Sequence, residues 1–191
     1  MSYFYERSFF MQHKQLVNWI LAALFLALCL VLPFLTGQIP QIGSAISPMH
    51  IPVLLCGFIC GWPYALLVGF IAPLLRSLLF GMPPFPAVAL PMAFELAAYG
   101  FFSGLFYKLL KGKLGDTVRV YITLILAMLL GRVVWGIAKY ILALLTGSAF
   151  TFEMFMAGAF INAVPALILH IVLIPLIIIA LQKAHKMPNE H

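Results

Sequence analysis

The residues of this chain that could do chemistry are ionisable side chains inside apolar runs. Three basic residues and one acidic residue interrupt such runs: Arg76, Arg132, Lys139 and Glu95. A charge at bilayer depth is costly, so these groups usually face a bundle interior or a water-filled cavity. An excess of cations in a low-dielectric cavity favours a small anionic guest, such as a ligand with a carboxylate.

Helical spacing groups these charges with aromatic side chains. Arg132, Trp135 and Lys139 are three and four positions apart, and Glu95 lies four positions before Tyr99, so each set shares one face of a helix. We therefore predict an outward-facing cavity lined by the third to sixth spans, with Glu153 at its rim. Its candidate ligand-binding residues are His50, Arg76, Glu95, Tyr99, Arg132, Trp135, Lys139 and Asn162.

Several of these side chains also fit purely structural roles. Glu95 could form a buried ion pair with a basic residue of the fifth span, which would only fix helix packing. Arg76 and Lys139 could extend to the membrane interface. Asn162 could bridge a helix kink, and His170, in an otherwise apolar stretch, is typical of a hydrogen bond between helices.

The elements that must carry these residues are apolar runs near twenty residues long. The chain of 191 residues is 64% hydrophobic and 8% charged, whereas a soluble domain is about half apolar and a quarter charged. A helix of about twenty residues crosses the hydrocarbon core of a bilayer. The composition excludes a soluble globular domain, a disordered chain and a nucleic-acid binder, and it predicts an all-α membrane protein.

We predict one integral-membrane domain over residues 1–191 with six transmembrane helices. The spans lie at about 16–35, 48–60, 64–80, 87–110, 120–146 and 152–181. If the N-terminus is cytoplasmic, eight basic residues fall on the inner side and none in the three outer loops. The eight are Arg7, Lys14, Lys108, Lys111, Lys113, Arg119, Lys183 and Lys186. The positive-inside rule then places both termini in the cytoplasm.

Sequence motifs of common enzyme classes are absent. The chain has no Walker motif, no HExxH and no GxSxG. It has five carboxylates, of which one lies deep in a span, too few for a metal site or a paired-carboxylate mechanism. The three cysteines lie in apolar runs and fit small buried hydrophobes. We therefore expect no enzyme activity, no metal, no cofactor and no nucleic-acid partner.

The first span carries a pair of small residues, Ala23 and Ala27, one helical turn apart. Small residues at this spacing let another helix approach closely. Together with the chain length, the six spans and the segment SPMHIPVLLCGFICGWPYALLVGFIAPLLRSLLFGMPP at 47–84, this pair resembles the substrate-binding S components of energy-coupling factor (ECF) vitamin transporters. The resemblance covers nearly the whole chain, and the SPMHIPV and FGMPP segments are most similar to the pantothenate-type branch.

The resemblance implies a vitamin-binding subunit of an ATP-driven importer in the bacterial plasma membrane. Such a subunit binds its vitamin from outside with high affinity and associates with a membrane coupling subunit and two cytoplasmic ATPase subunits. By the same resemblance, Ala23 and Ala27 would form the docking surface. Pantothenate, a carboxylate with hydroxyl and amide groups, suits the buried cations and Asn162; niacin, pyridoxine and riboflavin remain alternatives.

Two further functions fit the sequence. A stand-alone carrier coupled to protons could use Glu95 as its proton site. A membrane assembly factor would need no small ligand at all.

Overall fold

The structure, a computed structural model, describes residues 2–36 and 46–184, with side chains from Lys14 onward. This part of the chain is helical and contains no strand. Its α-helices are α1 Ser2–Val31, α2 His50–Cys60, α3 Trp62–Phe80, α4 Ala89–Leu109, α5 Asp116–Thr146, α6 Phe152–Met156 and α7 Val164–Lys183. A 3-10 turn, Leu32–Thr36, extends α1, and a π-helical turn, Ala157–Ile161, joins α6 to α7.

Five helical stretches in the described residues are long and apolar enough to cross a membrane. They are Lys14–Leu35, Trp62–Phe80, Ala89–Leu109, Asp116–Thr146 and Phe152–Lys183. The helix α2 is apolar but has only 11 residues. These helices confirm the predicted fold class, an all-α membrane protein with about six helices.

The helices α2 and α3 form an antiparallel hairpin around a single residue, Gly61. Gly61 has a φ of 94°, which favours glycine, and its N–H donates to the Cys56 carbonyl at 3.2 Å. Pro63 follows in the first turn of α3, where its missing N–H breaks no helical hydrogen bond. The turn that the sequence predicts at residues 61–63 therefore returns the chain directly along α2.

The helices α3 and α4 approach each other through small residues. A Cβ atom added to Gly69 would meet the backbone of Leu96, and one added to Gly100 would meet the backbone of Ala65. Glycine thus lets the two backbones touch, which is a common way to pack helices in a bilayer, where lipid supplies little hydrophobic driving force. This close pair fixes the position of α4, which carries Glu95.

Replacing Gly69 by Leu should destabilise the protein by up to about 3 kcal/mol, since the new side chain meets backbone that cannot move aside. The melting temperature of the purified protein in detergent would measure this. Gly115→Leu is the matched control, because a Cβ there meets no atom within 4 Å and its φ is −60°. Equal melting temperatures for the two variants would contradict the close packing.

One end of the bundle collects basic residues. Asn18 of α1 lines a cavity there together with Lys108 of α4 and Arg119 of α5. At the same end, the Gln182 side chain of α7 donates to the Tyr107 hydroxyl at 2.7 Å. We call this end, at which α4 and α7 end and α5 begins, the basic end.

The opposite end, which we call the distal end, is held by two long basic side chains. Arg76 Nη1 of α3 donates to the Leu30 carbonyl of α1 at 2.6 Å. Lys139 Nζ of α5 donates to the Ala87 carbonyl, just before α4, at 2.7 Å. Leu30 lies in the last turn of α1, where carbonyl groups can lack an intrahelical partner. The Ala87 carbonyl lacks the usual donor four residues later, because Pro91 has no N–H.

Candidate ligand-binding site

A buried ion pair between α4 and α5 lies at the centre of the candidate site. Glu95 Oε1 is 2.8 Å from Arg132 Nη1 and 3.6 Å from His50 Nε2. Glu95 and His50 are each 2% exposed, and Arg132 is 7% exposed. The buried ion pair that the sequence offered as an alternative role for Glu95 is therefore present, with Arg132 as the partner. His50 of α2 lies next to it.

Two more side chains complete this group. The Tyr99 ring packs edge-on against the His50 ring at 5.3 Å, and its hydroxyl lies beside Glu95. The His170 ring of α7 stacks on His50 at 5.9 Å, with 22° between the planes. Gly131 leaves room for the Tyr99 ring, because a Cβ atom there would overlap it. We call His50, Glu95, Tyr99, Arg132 and His170 the polar cluster.

His170 was not among the predicted ligand-binding residues. The sequence analysis favoured a structural hydrogen bond for it, because the surrounding stretch is apolar. In the structure it is 1% exposed, forms the expected hydrogen bond, with the backbone of Ser47, and also stacks on His50. The signal that could have found it is its depth, since a polar group far from both ends of its helix tends to face other polar groups.

The shortness of α2 explains why His50 reaches the polar cluster. Eleven residues span about 16 Å, roughly half of the hydrocarbon core. Because α2 ends at the basic end, its first residue, His50, lies near the middle of the bundle. The predicted second span, 48–60, begins close to His50 and would put this residue at its outer end, whereas in the structure His50 lies beside Glu95 inside the bundle.

The backbone before α2 is not helical although it is buried. Ser47 and Met49 are each less than a tenth exposed, and the His50 N–H donates to the Ser47 carbonyl at 3.0 Å. Cys29 Sγ of α1 donates to the Met49 carbonyl at 3.6 Å. Non-helical backbone at membrane depth is tolerated only where it is buried in protein or lines a cavity. This segment therefore belongs to the surroundings of the polar cluster.

Several buried polar atoms of the cluster have no hydrogen-bond partner among the described residues. They are Nδ1 of His50, Nε of Arg132 and Nε2 of His170. In folded proteins roughly 90% or more of buried polar groups are paired, and exceptions call for a bound molecule or ion. The cluster can therefore offer both donors and acceptors to a small polar guest.

Arg76 does not join the polar cluster. Besides its bond to Leu30, its guanidinium lies over the Phe34 ring at 4.8 Å and near the Phe80 ring at 5.3 Å. These contacts tie the end of α1 to α3 at the distal end. The side chain is 3% exposed, so it is enclosed by protein rather than directed to solvent.

Lys139 and Trp135 lie on α5 between the polar cluster and the distal end. Seven residues separate Lys139 from Arg132, a rise of about 10 Å. The Trp135 ring stacks against Phe155 of α6 at 6.4 Å and packs edge-on against Phe150 at 6.0 Å. The two side chains thus share the predicted helix face with Arg132 but lie further out.

Asn162 follows the π-helical turn, and its side chain is exposed, as is that of Glu153 on α6. Of the eight predicted ligand-binding residues, the structure therefore brings four together. The cations at the distal end are separate from them, so the polar cluster itself contains one arginine and one glutamate.

The predicted docking pair lies on the outer face of α1. Ala23 and Ala27 are exposed, whereas Ala22, Phe25 and Cys29 are buried against the bundle. The two alanines are thus accessible to a helix from another protein. The predicted basic residues Arg7 and Lys186 lie outside the described side chains.

Comparisons with known proteins agree with the resemblance. The family described as ECF transporter, substrate-specific component, matches residues 14–181, a range that contains the whole polar cluster and the docking pair. Neither the curated proteins nor the solved structures gave a match. The match covers most of the chain, and the apolar helices agree with a multi-pass membrane protein. The chain therefore belongs to the family of substrate-specific components of ECF transporters and is a subunit of such a transporter.

Proposed function

We propose that the polar cluster binds a small carboxylate vitamin, with pantothenate as the leading candidate. The chain would then be the high-affinity substrate-binding subunit of an ATP-driven importer. The observation that carries this proposal is the set of buried, unpartnered polar atoms around Arg132. Its position inside the bundle suits a ligand that is enclosed during transport.

Arg132 is the proposed anchor for the carboxylate. A guanidinium carries five N–H donors, and Glu95 approaches it through Nη1. The remaining donors, including the unpartnered Nε, can form charge-assisted hydrogen bonds with a guest carboxylate. In this arrangement Glu95 acts as a positioning residue that holds the guanidinium in one orientation.

The other members of the cluster suit the rest of pantothenate. A neutral imidazole offers one donor and one acceptor, and a phenol hydroxyl offers both. His50, Tyr99 and His170 can therefore bind hydroxyl and amide groups. Niacin has a carboxylate but fewer polar groups, so it would leave buried atoms unpaired at a cost of about 1–3 kcal/mol for each. Riboflavin would need an aromatic slot, whereas the Trp135 ring already stacks on Phe155.

Lys139 and Trp135 are proposed to line the route from the distal end to the polar cluster. A cation at an entrance attracts an anion and raises its association rate more than its final affinity. Trp135 would supply an apolar wall beside that route. Arg76 and Asn162 are not needed by this proposal, since neither lies in the cluster.

The proposed topology places the basic end in the cytoplasm, together with both termini, as the positive-inside rule requires. The distal end then faces the exterior, and the vitamin enters from there. The face of α1 that carries Ala23 and Ala27 would dock on a membrane coupling subunit, to which two ATPase subunits supply energy.

The identity of the ligand can be tested by mass spectrometry of the small molecules that the purified protein releases on denaturation. We expect pantothenate in about equimolar amount, because S components hold their vitamin tightly. Titration calorimetry with pantothenate, niacin, pyridoxine and riboflavin would then rank the affinities. Tighter binding of any other vitamin, or no bound vitamin, would contradict the pantothenate assignment.

The second candidate function is a stand-alone proton-coupled carrier, favoured by the buried carboxylate of Glu95. Proteoliposomes that contain only this chain separate the two functions. We expect no pantothenate accumulation under an imposed proton gradient, because the ATPase subunits are absent. Accumulation that depends on the gradient and is lost in Glu95→Gln would favour the carrier instead.

A further inference from the structure

A cavity of about 400 Å³ opens at the basic end, away from the polar cluster. Its size lies within the range of about 300–1,000 Å³ that is usual for small-molecule sites. The wall consists of the first apolar part of α1, the turn between α2 and α3, the end of α4 and the start of α5. None of the polar cluster residues lines it, so it is a separate site.

Three basic side chains contribute to the lining of this cavity. They are Lys108, Lys111 and Arg119. The Arg119 guanidinium lies over the Tyr107 ring at 4.1 Å, and its Nη2 is 3.6 Å from Asp116 Oδ1. The Asp116 side chain is 74% exposed, so this one carboxylate lies on the solvent side of Arg119. Within the part of the chain that the structure describes, the lining thus carries three basic side chains with Asp116 beside one of them, a balance that favours an anion.

A buried polar side chain also faces the cavity. Asn18 of α1 is 8% exposed, and its Oδ1 has no hydrogen-bond partner among the described residues. A half-turn of the amide would present its NH₂ group instead, so Asn18 can donate to an anion. Asn18 thus adds a neutral polar group, able to donate or to accept, to a lining that also carries three basic side chains.

The surface beside the cavity is suited to lipid. Trp19 is 54% exposed, Trp62 is 37% exposed, and the Trp19 ring packs edge-on against Tyr64 at 5.0 Å. Such aromatic side chains mark the headgroup level of a membrane protein. On α1, Leu16 and Ile20 are 59% and 60% exposed and offer an apolar strip next to the cavity.

We propose that this cavity binds the phosphate-bearing headgroup of an anionic phospholipid from the leaflet at the basic end. Lysine and arginine donate charge-assisted hydrogen bonds to phosphate oxygens, and basic pockets between membrane helices are known to bind anionic headgroups. The acyl chains would lie along the strip formed by Leu16 and Ile20. The lipid would hold α1 against the hairpin of α2 and α3 on the side away from the vitamin.

Native mass spectrometry of the purified full chain with added phosphatidylglycerol tests this site. We expect the double variant Lys108→Ala/Lys111→Ala to retain at least about tenfold less phosphatidylglycerol than the wild type, since each lysine adds to the attraction. Lys113→Ala is the matched control, because Lys113 lies in the same connection but not in the cavity lining. Phosphatidylcholine, with no net charge, should bind weakly and equally to all three proteins.

Pantothenate binding and the melting temperature of the same variants separate this proposal from the proposed function. Both should stay close to wild-type values, because the polar cluster is elsewhere. Equal phosphatidylglycerol retention by the double variant and Lys113→Ala would overturn the proposal. Displacement of the lipid by inorganic phosphate alone would show that free phosphate is the ligand. Loss of coupling-subunit association without loss of lipid would show a protein-docking surface instead.

Discussion

Replacement of Arg132 by Gln is expected to weaken pantothenate binding at least about tenfold, a loss of about 1.4 kcal/mol or more. Arg132 is the one cation of the polar cluster, and its Nε has no partner among the described residues. Its loss removes the charge-assisted hydrogen bonds that the proposal assigns to the vitamin carboxylate. Titration calorimetry on the purified protein, freed of its co-purified ligand, measures the change.

The same substitution also leaves Glu95 buried without its charged partner, which costs about 3–5 kcal/mol in stability. A double variant, Glu95→Gln/Arg132→Gln, keeps the side-chain sizes and removes both charges. We expect it to recover most of the melting temperature of the wild type without recovering affinity. Wild-type affinity in the double variant would show that the ion pair only packs the helices and does not hold the ligand.

Lys139→Gln provides a matched comparison on the same face of α5. Lys139 is about 10 Å from Arg132 along the helix, so its loss should lower the association rate and leave the dissociation rate nearly unchanged. The difference in association rate between the wild type and Lys139→Gln should become small at high ionic strength, because salt screens electrostatic attraction at a distance. A large rise in the dissociation rate would mean that Lys139 contacts the bound vitamin directly.

Bulky residues at Ala23 and Ala27 should abolish uptake while leaving vitamin binding within about twofold of wild type. Both alanines are exposed on α1 and lie on the opposite face from the buried residues Ala22 and Phe25. Trp at either position would hold a partner helix away from the close approach that small residues permit. Uptake of labelled pantothenate by cells that express the whole transporter gives the first readout, and calorimetry gives the second.

Ala180→Trp is the matched control for this experiment. Ala180 is also an exposed alanine on a membrane helix, but it lies on α7. The control should transport normally. Normal uptake by the Ala23 and Ala27 variants, or equal loss by Ala180→Trp, would place the docking surface elsewhere.

Local sequence patterns predicted those parts of the candidate site that lie on single helices. Glu95 and Tyr99 share one face of α4, and the charge of Arg132 inside an apolar run indicated that it faces the interior of the bundle. Both inferences depend only on helical geometry and on the cost of charge in hydrocarbon. The same two rules predicted an all-α membrane fold, because they need no knowledge of long-range contacts.

The parts that the sequence could not predict depend on contacts between distant residues. Arg76 bonds to Leu30, 46 positions earlier, and no periodic pattern within α3 reveals that partner. Trp135 shares the face of Arg132, but its ring is covered by Phe155, which packs where Gly136 has no side chain. Whether one face of α5 is accessible to a ligand depends on the helix that packs against it, and the sequence of α5 alone does not show this.

The depth of His50 shows the same limit. An apolar window locates the second span but not the level in the bilayer at which its helix begins. That level follows from the single-residue turn at Gly61 and from the 11-residue length of α2. His50 was predicted to line the site, but the level at which it does so depends on these contacts between distant residues.

The brevity of α2 also constrains how the chain enters the membrane during synthesis. An 11-residue helix is far below the roughly 20 residues that a translocating channel accepts as an independent transmembrane segment. Alone it would leave the buried backbone before His50 exposed to hydrocarbon, with unsatisfied peptide groups. We therefore expect α2 to enter the lipid together with α3, so that residues 50–80 insert as one helical hairpin.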